Sequence, residues 1–219
     1  MIKIKKTNDG SHTLYEESID EYYHSVHGAV QESMHVFIRN GFNCIPKKEI
    51  KIFEMGFGTG LNALLTYYMA SVQKKNISYT TVEKFPLNAQ ITDVLNYSET
   101  SDLKEMKKIF KQLHRTSWEE WHEIASFFSF CKIKEDMAGL VLNQKFDLIY
   151  FDAFSPDKQP ELWSTDILEK LFSKLNTPGI FVTYSAKGII RRRLENTGFR
   201  VERIPGPPGK REMLRALKE

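Results

Sequence analysis

The spacing of hydrophobic residues changes near residue 50. Residues 1–27 carry only short alternating patterns, interrupted by the turn signal Asp9-Gly10, and they predict a small hairpin. Residues 29–40 predict a helix that ends at Gly41. Longer apolar stretches begin only after this helix. We therefore expect a small N-terminal extension over residues 1–45 and a larger domain over residues 46–219.

Strand and helix patterns alternate along the larger domain. They predict seven strands, at residues 50–55, 77–82, 129–135, 146–152, 180–185, 199–204 and 212–217. Helices are expected at residues 61–72, after Pro86, and at residues 101–113, 160–175 and 188–196. Residues 118–128 are rich in aromatic side chains and fit neither pattern. This order predicts an α/β fold: a doubly wound, Rossmann-like, mostly parallel sheet with helices on both faces.

Composition narrows the class of protein without deciding its function. The chain has 219 residues, of which 41% are hydrophobic and 27% charged, and a net charge of only +3. These values are ordinary for a globular domain. Cys44 and Cys131 match neither a disulfide framework nor a zinc motif, and the histidines show no metal-ligand spacing. No apolar run reaches the roughly 20 residues of a membrane helix. We expect a cytoplasmic protein without a metal site or a membrane partner.

The first candidate site is a glycine-rich turn between a strand and a helix. Gly56, Gly58 and Gly60 follow Glu54 at alternate positions, and a backbone without Cβ atoms can turn tightly against a ligand. The turn lacks the Gly-Lys-Ser/Thr of a phosphate-binding P-loop, and Leu61 stands where a dinucleotide fingerprint needs glycine. A carboxylate beside these glycines suits S-adenosylmethionine, which carries a sulfonium, an ammonium and a ribose. A purely structural turn is the alternative.

Acidic residues also follow three of the other predicted strands. Glu83 follows the second strand, where a carboxylate can accept hydrogen bonds from ribose hydroxyls. Asp136 follows the third and suits either an adenine amino group or a helix N-cap. Asp152 ends a strongly apolar strand, where a buried carboxylate is costly without a partner such as a substrate amine. Because methyl transfer to nitrogen needs a free lone pair, we expect Asp152 to accept or orient the proton of that amine.

Three segments together resemble the methyltransferase half of the bifunctional tRNA wobble-uridine enzyme MnmC, whose stand-alone versions are called MnmD. The segments are residues 54–62 (EMGFGTGLN), 151–163 (FDAFSPDKQPELW) and 183–188 (TYSAKG), the last followed by Arg191 and Arg192. Residues 9–14, 32–37 and 209–213 also look like the entry and exit segments of that family. Many methyltransferases share the glycine turn, whereas its combination with residues 151–163 and 210–213 is specific.

The resemblance implies a reaction and a set of roles. A methyl group would pass from S-adenosylmethionine to the aminomethyl nitrogen of 5-aminomethyl-2-thiouridine, or of its oxygen analogue, at wobble position 34 in the tRNA anticodon loop. Glu54, Gly56, Gly58, Gly60, Asn62, Glu83, Asp136 and Asp152 would surround the cofactor, with Asp152 as the catalytic carboxylate. Phe154, Trp163, Tyr184, Arg191, Lys210 and Arg211 would contact the substrate, although the core is the alternative place for each aromatic residue.

The family's bifunctional members also carry a flavin-dependent oxidase. This chain shows no second nucleotide fingerprint, so we expect it to bind no flavin. Its aminomethyl substrate would then arise by another route or through a separate FAD-dependent oxidase.

Charge supports an RNA partner without deciding between functions. Residues 187–219 hold ten Lys or Arg against four Glu, and four lysines recur at helical spacing at positions 104, 107, 108 and 111. Such surfaces can follow a phosphate backbone, although a solvated basic face is the alternative. Two rival functions stay open. One is a small-amine transferase, either an amine methyltransferase or a spermidine-synthase-like aminopropyltransferase. The other is an RNA-binding module that has lost its cofactor.

Overall fold

The N-terminal region forms a small sheet of its own. The computed structural model describes residues 1–99 and 103–219. Its first strands, β1 (Ile2–Lys6), β2 (His12–Glu16) and β3 (Glu21–Tyr22), pair antiparallel in sequence order. The expected hairpin is therefore confirmed and gains a third strand. The helix expected at residues 29–40 is divided into α1 (Ala29–Ser33) and a π-helix (Met34–Arg39), and ends at Asn40.

The central sheet contains eight strands, ordered β10-β11-β9-β8-β4-β5-β7-β6. They are β4 (Glu49–Met55), β5 (Asn76–Val82), β6 (Trp121–Ala125), β7 (Phe128–Ile133), β8 (Phe146–Phe151), β9 (Leu175–Thr183), β10 (Arg200–Pro205) and β11 (Glu212–Lys218). The five inner strands from β9 to β7 are parallel, and the outer ones antiparallel. The doubly wound, mostly parallel sheet is confirmed, with eight strands rather than seven. The extra strand β6 lies at an edge, where mostly solvent-facing residues need no apolar alternation.

Five further α-helices of the described residues surround this sheet: α2 (Leu61–Gln73), α3 (Ala89–Thr92), α4 (Lys107–Arg115), α5 (Thr165–Lys174) and α6 (Gly188–Thr197). Pro86 does not open a helix as expected, because α3 begins later, where the Asn88 side chain caps the Ile91 N–H. The helix expected at residues 160–175 is a 3₁₀ turn (Pro160–Trp163) followed by α5, since Ser164 between them is extended.

The lysine-rich helix is also shorter than expected. A 3₁₀ turn (Lys104–Met106) precedes α4, and residues 101 and 102 of the expected helix lie outside the described part of the chain. Within the described ranges, no helix is long and apolar enough to cross a membrane.

The hydrophobic core lies on both faces of the sheet. All six residues of β8 are buried: Leu148 and Tyr150 pack on the face covered by α2, while Ile149 and Phe151 pack on the face covered by α5 and α6. The chain leaves β4 toward β5 on one side and later returns to β8 on the other. This reversal leaves a crevice beyond the carboxyl ends of β4 and β8, the usual ligand position in such sheets.

Candidate active site

A cavity of about 990 Å³ opens at this end of the sheet. Its walls come from the glycine-rich turn after β4, the loops after β5, β7 and β8, N-terminal residues between 16 and 32, and residues 209 and 210. Small-molecule sites enclose roughly 300–1,000 Å³, so the cavity has room for a nucleoside-sized ligand and an acceptor group.

The glycine-rich turn brings backbone to the cavity wall. Gly56 has a φ of 89°, and a Cβ built there would lie 2.7 Å from the backbone carbonyl oxygen of Asp152. A Cβ on Gly58 (φ 48°) would lie 3.3 Å from the Tyr23 ring. Both glycines line the cavity. Side chains would thus close a space that the bare backbone leaves open.

The structure gives Gly60 a different place from the expected one. Gly60 is absent from the cavity wall and serves as the N-cap of α2 with a φ of 74°. A Cβ there would lie 2.9 Å from Nε2 of His114, whose ring nitrogen is 3.0 Å from the Thr59 carbonyl oxygen. Gly60 is therefore required by the close packing of α4 against the turn, and not by contact with the cavity.

Glu83 faces the cavity beside this turn. One carboxylate oxygen accepts the Gly58 N–H at 3.0 Å, and the other accepts the Phe85 N–H at 2.9 Å. These two backbone donors fix the orientation of the carboxylate at the mouth of the cavity. A carboxylate has about four lone-pair sites, so acceptor capacity is left for the hydroxyls of a bound ligand.

Asp136 lines the same end of the cavity. Its carboxylate accepts the Ala138 N–H at 3.0 Å and pairs with Lys84 at 2.7 Å. The hydrogen bond from Lys84 is the main cause that lowers the pKa of Asp136, so this side chain is an anion at neutral pH. Asp136 thus caps a turn rather than the expected helix, and it also lines the cavity, so its contact with adenine stays a prediction.

Glu54 does not line the cavity, although the sequence placed it next to the cofactor. Strand alternation puts its side chain on the face of Ile50 and Ile52, beneath α2, and it has no exposed surface. Neither carboxylate oxygen has a well-formed hydrogen bond to the described residues. Burial raises the pKa of Glu54 to about 8, and the Thr81 side chain is the largest influence that opposes this rise. In this arrangement the Glu54 side chain does not reach the cavity and cannot contact a ligand there.

Asp152 stands at the centre of the cavity wall, directly after β8. Its carboxylate accepts a hydrogen bond of 2.8 Å from the Asn62 side chain in the first turn of α2. Burial raises the pKa of Asp152 to about 7, and the hydrogen bond from Asn62 opposes this rise. The group can therefore exchange a proton near neutral pH, which is the property that a general base requires.

The expected acceptor residues separate into two groups. Phe154, Tyr184 and Lys210 line the cavity, and the Tyr184 hydroxyl donates to the Ala153 carbonyl at 2.8 Å. Arg191 and Arg211 do not: Arg191 pairs with Glu195 on the outer surface of α6, and Arg211 is exposed beyond the cavity. Neither arginine therefore forms part of the cavity wall.

Trp163 lies in the core and not at the expected substrate contact. Its side chain is fully buried, and its ring centre lies 4.6 Å from that of Phe151. Its Nε1–H donates to the Phe154 carbonyl at 2.8 Å. Trp163 therefore cannot stack on a nucleobase in this arrangement. It supports the loop that carries Asp152 and Phe154 from beneath.

The N-terminal extension supplies site residues that the sequence reading missed. Tyr23, His24 and Glu32 line the cavity, and the Tyr23 ring meets Phe154 edge-on at 5.0 Å between centres. Glu21 accepts a hydrogen bond of 2.9 Å from the Ser155 hydroxyl. No local pattern in residues 16–32 indicates these contacts, since they depend on how the small sheet folds back over the loop after β8.

The lining of the cavity is strongly acidic. Its ten carboxylates are Glu16, Asp20, Glu21, Glu32, Glu83, Glu135, Asp136, Asp152, Asp157 and Glu161, against three lysines, Lys84, Lys158 and Lys210. Such a surface attracts cationic ligands and disfavours the pyrophosphate of a dinucleotide. Among the described residues, no group of three or more His, Cys, Asp or Glu is arranged to hold a metal ion.

Comparison with known proteins identifies the family. The profile of a family described as S-adenosyl-L-methionine-dependent methyltransferase matches residues 104–219, which is more than half of the chain. The chain belongs to this methyltransferase family. The matched residues include the strands β6 to β11 and Asp152, whereas the glycine-rich turn lies before them.

Individual relatives confirm the resemblance found in the motifs. The chain is 32% identical over 220 residues to the tRNA 5-methylaminomethyl-2-thiouridine biosynthesis bifunctional protein MnmC of Leptospira interrogans, covering 92% of this chain and 33% of that protein. The MnmC protein of Cupriavidus metallidurans is 30% identical, with 94% and 32% covered. The chain therefore spans about a third of the length of these curated relatives.

Solved structures agree with this assignment. MnmC2 from Aquifex aeolicus superposes with a TM-score of 0.83 at 29% identity, covering 99% of this chain and 70% of that one. Spermidine synthase from Thermotoga maritima gives a TM-score of 0.59 at 13% identity, with 99% and 68% covered. The second similarity shows a shared fold and no more than that.

Proposed function

We propose that this methyltransferase transfers a methyl group from S-adenosylmethionine to the aminomethyl nitrogen of 5-aminomethyl-2-thiouridine, or of its oxygen analogue, at wobble position 34 of tRNA. The observation that carries the proposal is Asp152, a carboxylate with a pKa of about 7 beside the glycine-rich turn. The names of the MnmC relatives supply the nucleoside and the RNA.

The cavity suits S-adenosylmethionine on chemical grounds. Gly56 and Gly58 leave a backbone cradle that a Cβ would fill, and Glu83 presents an oriented carboxylate to ribose hydroxyls. Asp136 lies on the same wall and suits the adenine amino group. The excess of carboxylates around the cavity favours a ligand that carries a sulfonium and an ammonium. When bound, this ligand supplies an electrophilic methyl group, and its sulfur keeps the electron pair of the broken S–C bond.

The residues of this chain prepare the acceptor nitrogen. An alkylammonium has no free lone pair at neutral pH, so it must lose a proton before it can be methylated. Asp152 can take that proton because its pKa lies near 7, and Asn62 holds its carboxylate in place. Phe154 and Tyr184 face the same space and would flank the nucleobase. After the N–C bond forms, the product is a secondary ammonium.

The RNA backbone would lie outside the cavity, because phosphates are repelled by its carboxylates. The lysines of α4 and the basic stretch over residues 187–219 are the candidate phosphate contacts. Arg191 and Arg211 would act there, on the outer surface, and not at the wobble base. Both cysteines are free thiols, which agrees with a cytoplasmic enzyme, and the absence of flavin from this chain stays a prediction.

The test is methylation of tRNA that carries the 5-aminomethyl group at position 34, with S-adenosylmethionine labelled in its methyl group. We expect label in the RNA, and mass spectrometry should show 5-methylaminomethyluridine or its 2-thio form at that position. tRNA that lacks the aminomethyl group is the control and should stay unlabelled. Label at another nucleoside, or no label with the intact substrate, would contradict the proposal.

A small-amine transferase is the second candidate. The acidic lining of the cavity suits a polyamine. Incubation with putrescine or spermidine in place of tRNA, with S-adenosylmethionine as methyl donor or its decarboxylated form as aminopropyl donor, separates the two functions. Transfer to a free amine with none to tRNA would favour this candidate.

A further inference from the structure

A partly buried ion pair lies at the acceptor end of the cavity, the part that Phe154 and Tyr184 line. Glu32 in α1 and Lys210 in the loop between β10 and β11 are 178 positions apart, and their side chains meet at 2.8 Å. The Glu32 side chain is 8% exposed and that of Lys210 is 34% exposed. Both residues line the cavity that holds Asp152.

Each partner of the pair has a second anchor. The other oxygen of Glu32 accepts the Ser25 N–H at 2.7 Å, which fixes the carboxylate on the N-terminal side. The ammonium of Lys210 lies 4.0 Å from the centre of the Tyr184 ring, in a cation–π contact. The neighbouring Gly209 packs so closely on His27 that a Cβ would come within 2.0 Å of it. The pair thus joins the N-terminal extension to the C-terminal loop.

The ion pair includes two of the charged groups that influence the pKa of Asp152. The titratable groups that act on Asp152 or respond to its charge are Glu32, Lys210, Glu54, Tyr79, Tyr97 and Tyr184. Burial raises the pKa values of the three tyrosines, so their hydroxyls are neutral, and burial also raises the pKa of Glu54 to about 8. Glu32 and Lys210 act on Asp152 in opposite directions: Glu32 raises its pKa and Lys210 lowers it.

We propose that the Glu32–Lys210 ion pair is a positioning element of the acceptor end, which closes this wall of the cavity and balances the charge that Asp152 meets. The inference rests on the proposed function, since it assigns the pair to amine methylation. Neither residue is proposed to touch the reacting atoms. The pair acts through Asp152 and through the wall that it holds together.

The charges of Glu32 and Lys210 influence the pH range in which Asp152 can act as a base. Asp152 must be ionised to take a proton from the acceptor ammonium, which then becomes a neutral amine with a free lone pair. The lone pair forms the new N–C bond, and the proton on Asp152 leaves to solvent after the product departs. The rate therefore falls as the pH drops through the pKa of Asp152. Loss of the Lys210 charge should raise this pKa, and loss of the Glu32 charge should lower it.

The test compares the pH dependence of kcat/KM for tRNA methylation in Lys210→Gln, Glu32→Gln and the double variant. In the pH profile of kcat/KM, we expect the acidic limb to move up by about half a pH unit or more in Lys210→Gln. In Glu32→Gln it should move down by a similar amount. The limb of the double variant should return toward that of the wild type. Lys210→Arg, which keeps the charge, should restore the wild-type profile.

Matched controls come from the opposite end of the sheet. Glu49→Gln and Lys145→Gln remove the same charges from exposed residues at the amino ends of β4 and β8, and should leave the profile unchanged. Binding of S-adenosylhomocysteine and the melting temperature monitor the fold of every variant. Lys210 is partly exposed in a loop, so Lys210→Gln should fold even if Glu32→Gln does not.

The possible outcomes separate this inference from the proposed function. If the wild-type enzyme does not methylate tRNA, the proposed function fails. If it does, and both single variants lose rate without shifting the limb, the pair is only structural and the inference is overturned. Shifts of both variants in the same direction would also overturn it, because the two charges act oppositely on one carboxylate.

Discussion

The two ends of the cavity are built in different ways. The cofactor end comes mainly from one stretch of chain, with Gly56 and Gly58 followed after one more strand by Glu83, and only Asp136 is added from a later loop. The acceptor end is assembled from distant segments: Glu32 in the extension, Phe154 after β8, Tyr184 after β9 and Lys210 before β11. The first end is therefore a local motif, whereas the second exists only once the chain has folded.

This difference has a physical cause. A tight strand-to-helix turn needs glycine at particular positions, because only glycine adopts positive φ without strain. An acceptor pocket needs only side chains of suitable shape and charge, and any loop at the rim of the sheet can supply them. Substitutions at the cofactor end should thus act mainly on cofactor affinity, and those at the acceptor end mainly on turnover.

Asp152→Asn is expected to have the largest effect. Loss of a positioned general base lowers kcat by about 100- to 10,000-fold, while calorimetry should show nearly unchanged affinity for S-adenosylhomocysteine. Asp166→Asn, an exposed change in the first turn of α5, is the control and should leave kcat unaltered. A collapse of cofactor affinity in Asp152→Asn would mean that this carboxylate belongs to the cofactor end.

Gly56→Ala should come next in size and act at the other end. The new methyl group would lie 2.7 Å from the Asp152 carbonyl oxygen, at a positive φ. The turn must shift to relieve this clash and the strain of a positive φ in alanine, and the displaced backbone should lower the affinity for S-adenosylhomocysteine about tenfold or more. Gly139→Ala is the matched control, because its nearest neighbour would be 3.6 Å away. Unchanged affinity in Gly56→Ala would show that the turn does not shape the cofactor site.

The smallest effect is expected outside both ends, on α4. Lys107 and Lys108 are exposed in its first turn. If each contacts one phosphate, the paired change to Gln should weaken tRNA binding several-fold and lower the slope of log K against log salt by about 0.7–0.9 per lost contact. Filter binding across a salt series measures both quantities. The same change at Lys48 and Lys145, beyond the opposite end of the sheet, should alter neither. An unchanged slope in the α4 variant would remove this helix from the RNA-binding surface.

The wrong predictions of site residues also reflect the difference between a local motif and contacts that form only after folding. Glu54 and Trp163 belong to the motifs that carry the family resemblance, yet both side chains are buried away from the cavity. Strand alternation turns the Glu54 side chain away from the cavity, and the 3₁₀ turn before α5 places Trp163 in the core. Glu32 shows the converse, because it lines the cavity although the sequence predicted no role for it in the site.

The sequence by itself determined the parallel strands of the central sheet and most of its helices, the glycine-rich turn and the carboxylate at the end of β8, but not strand β6. These features are local, since hydrophobic periodicity and backbone conformation depend on neighbours a few residues apart. Only the tertiary structure decided that the extension covers the loop after β8, that Trp163 lies beneath that loop, and that Glu32 meets Lys210 across 178 positions. Such contacts depend on how the elements pack, because no spacing along a chain encodes the distance between residues that meet only after folding.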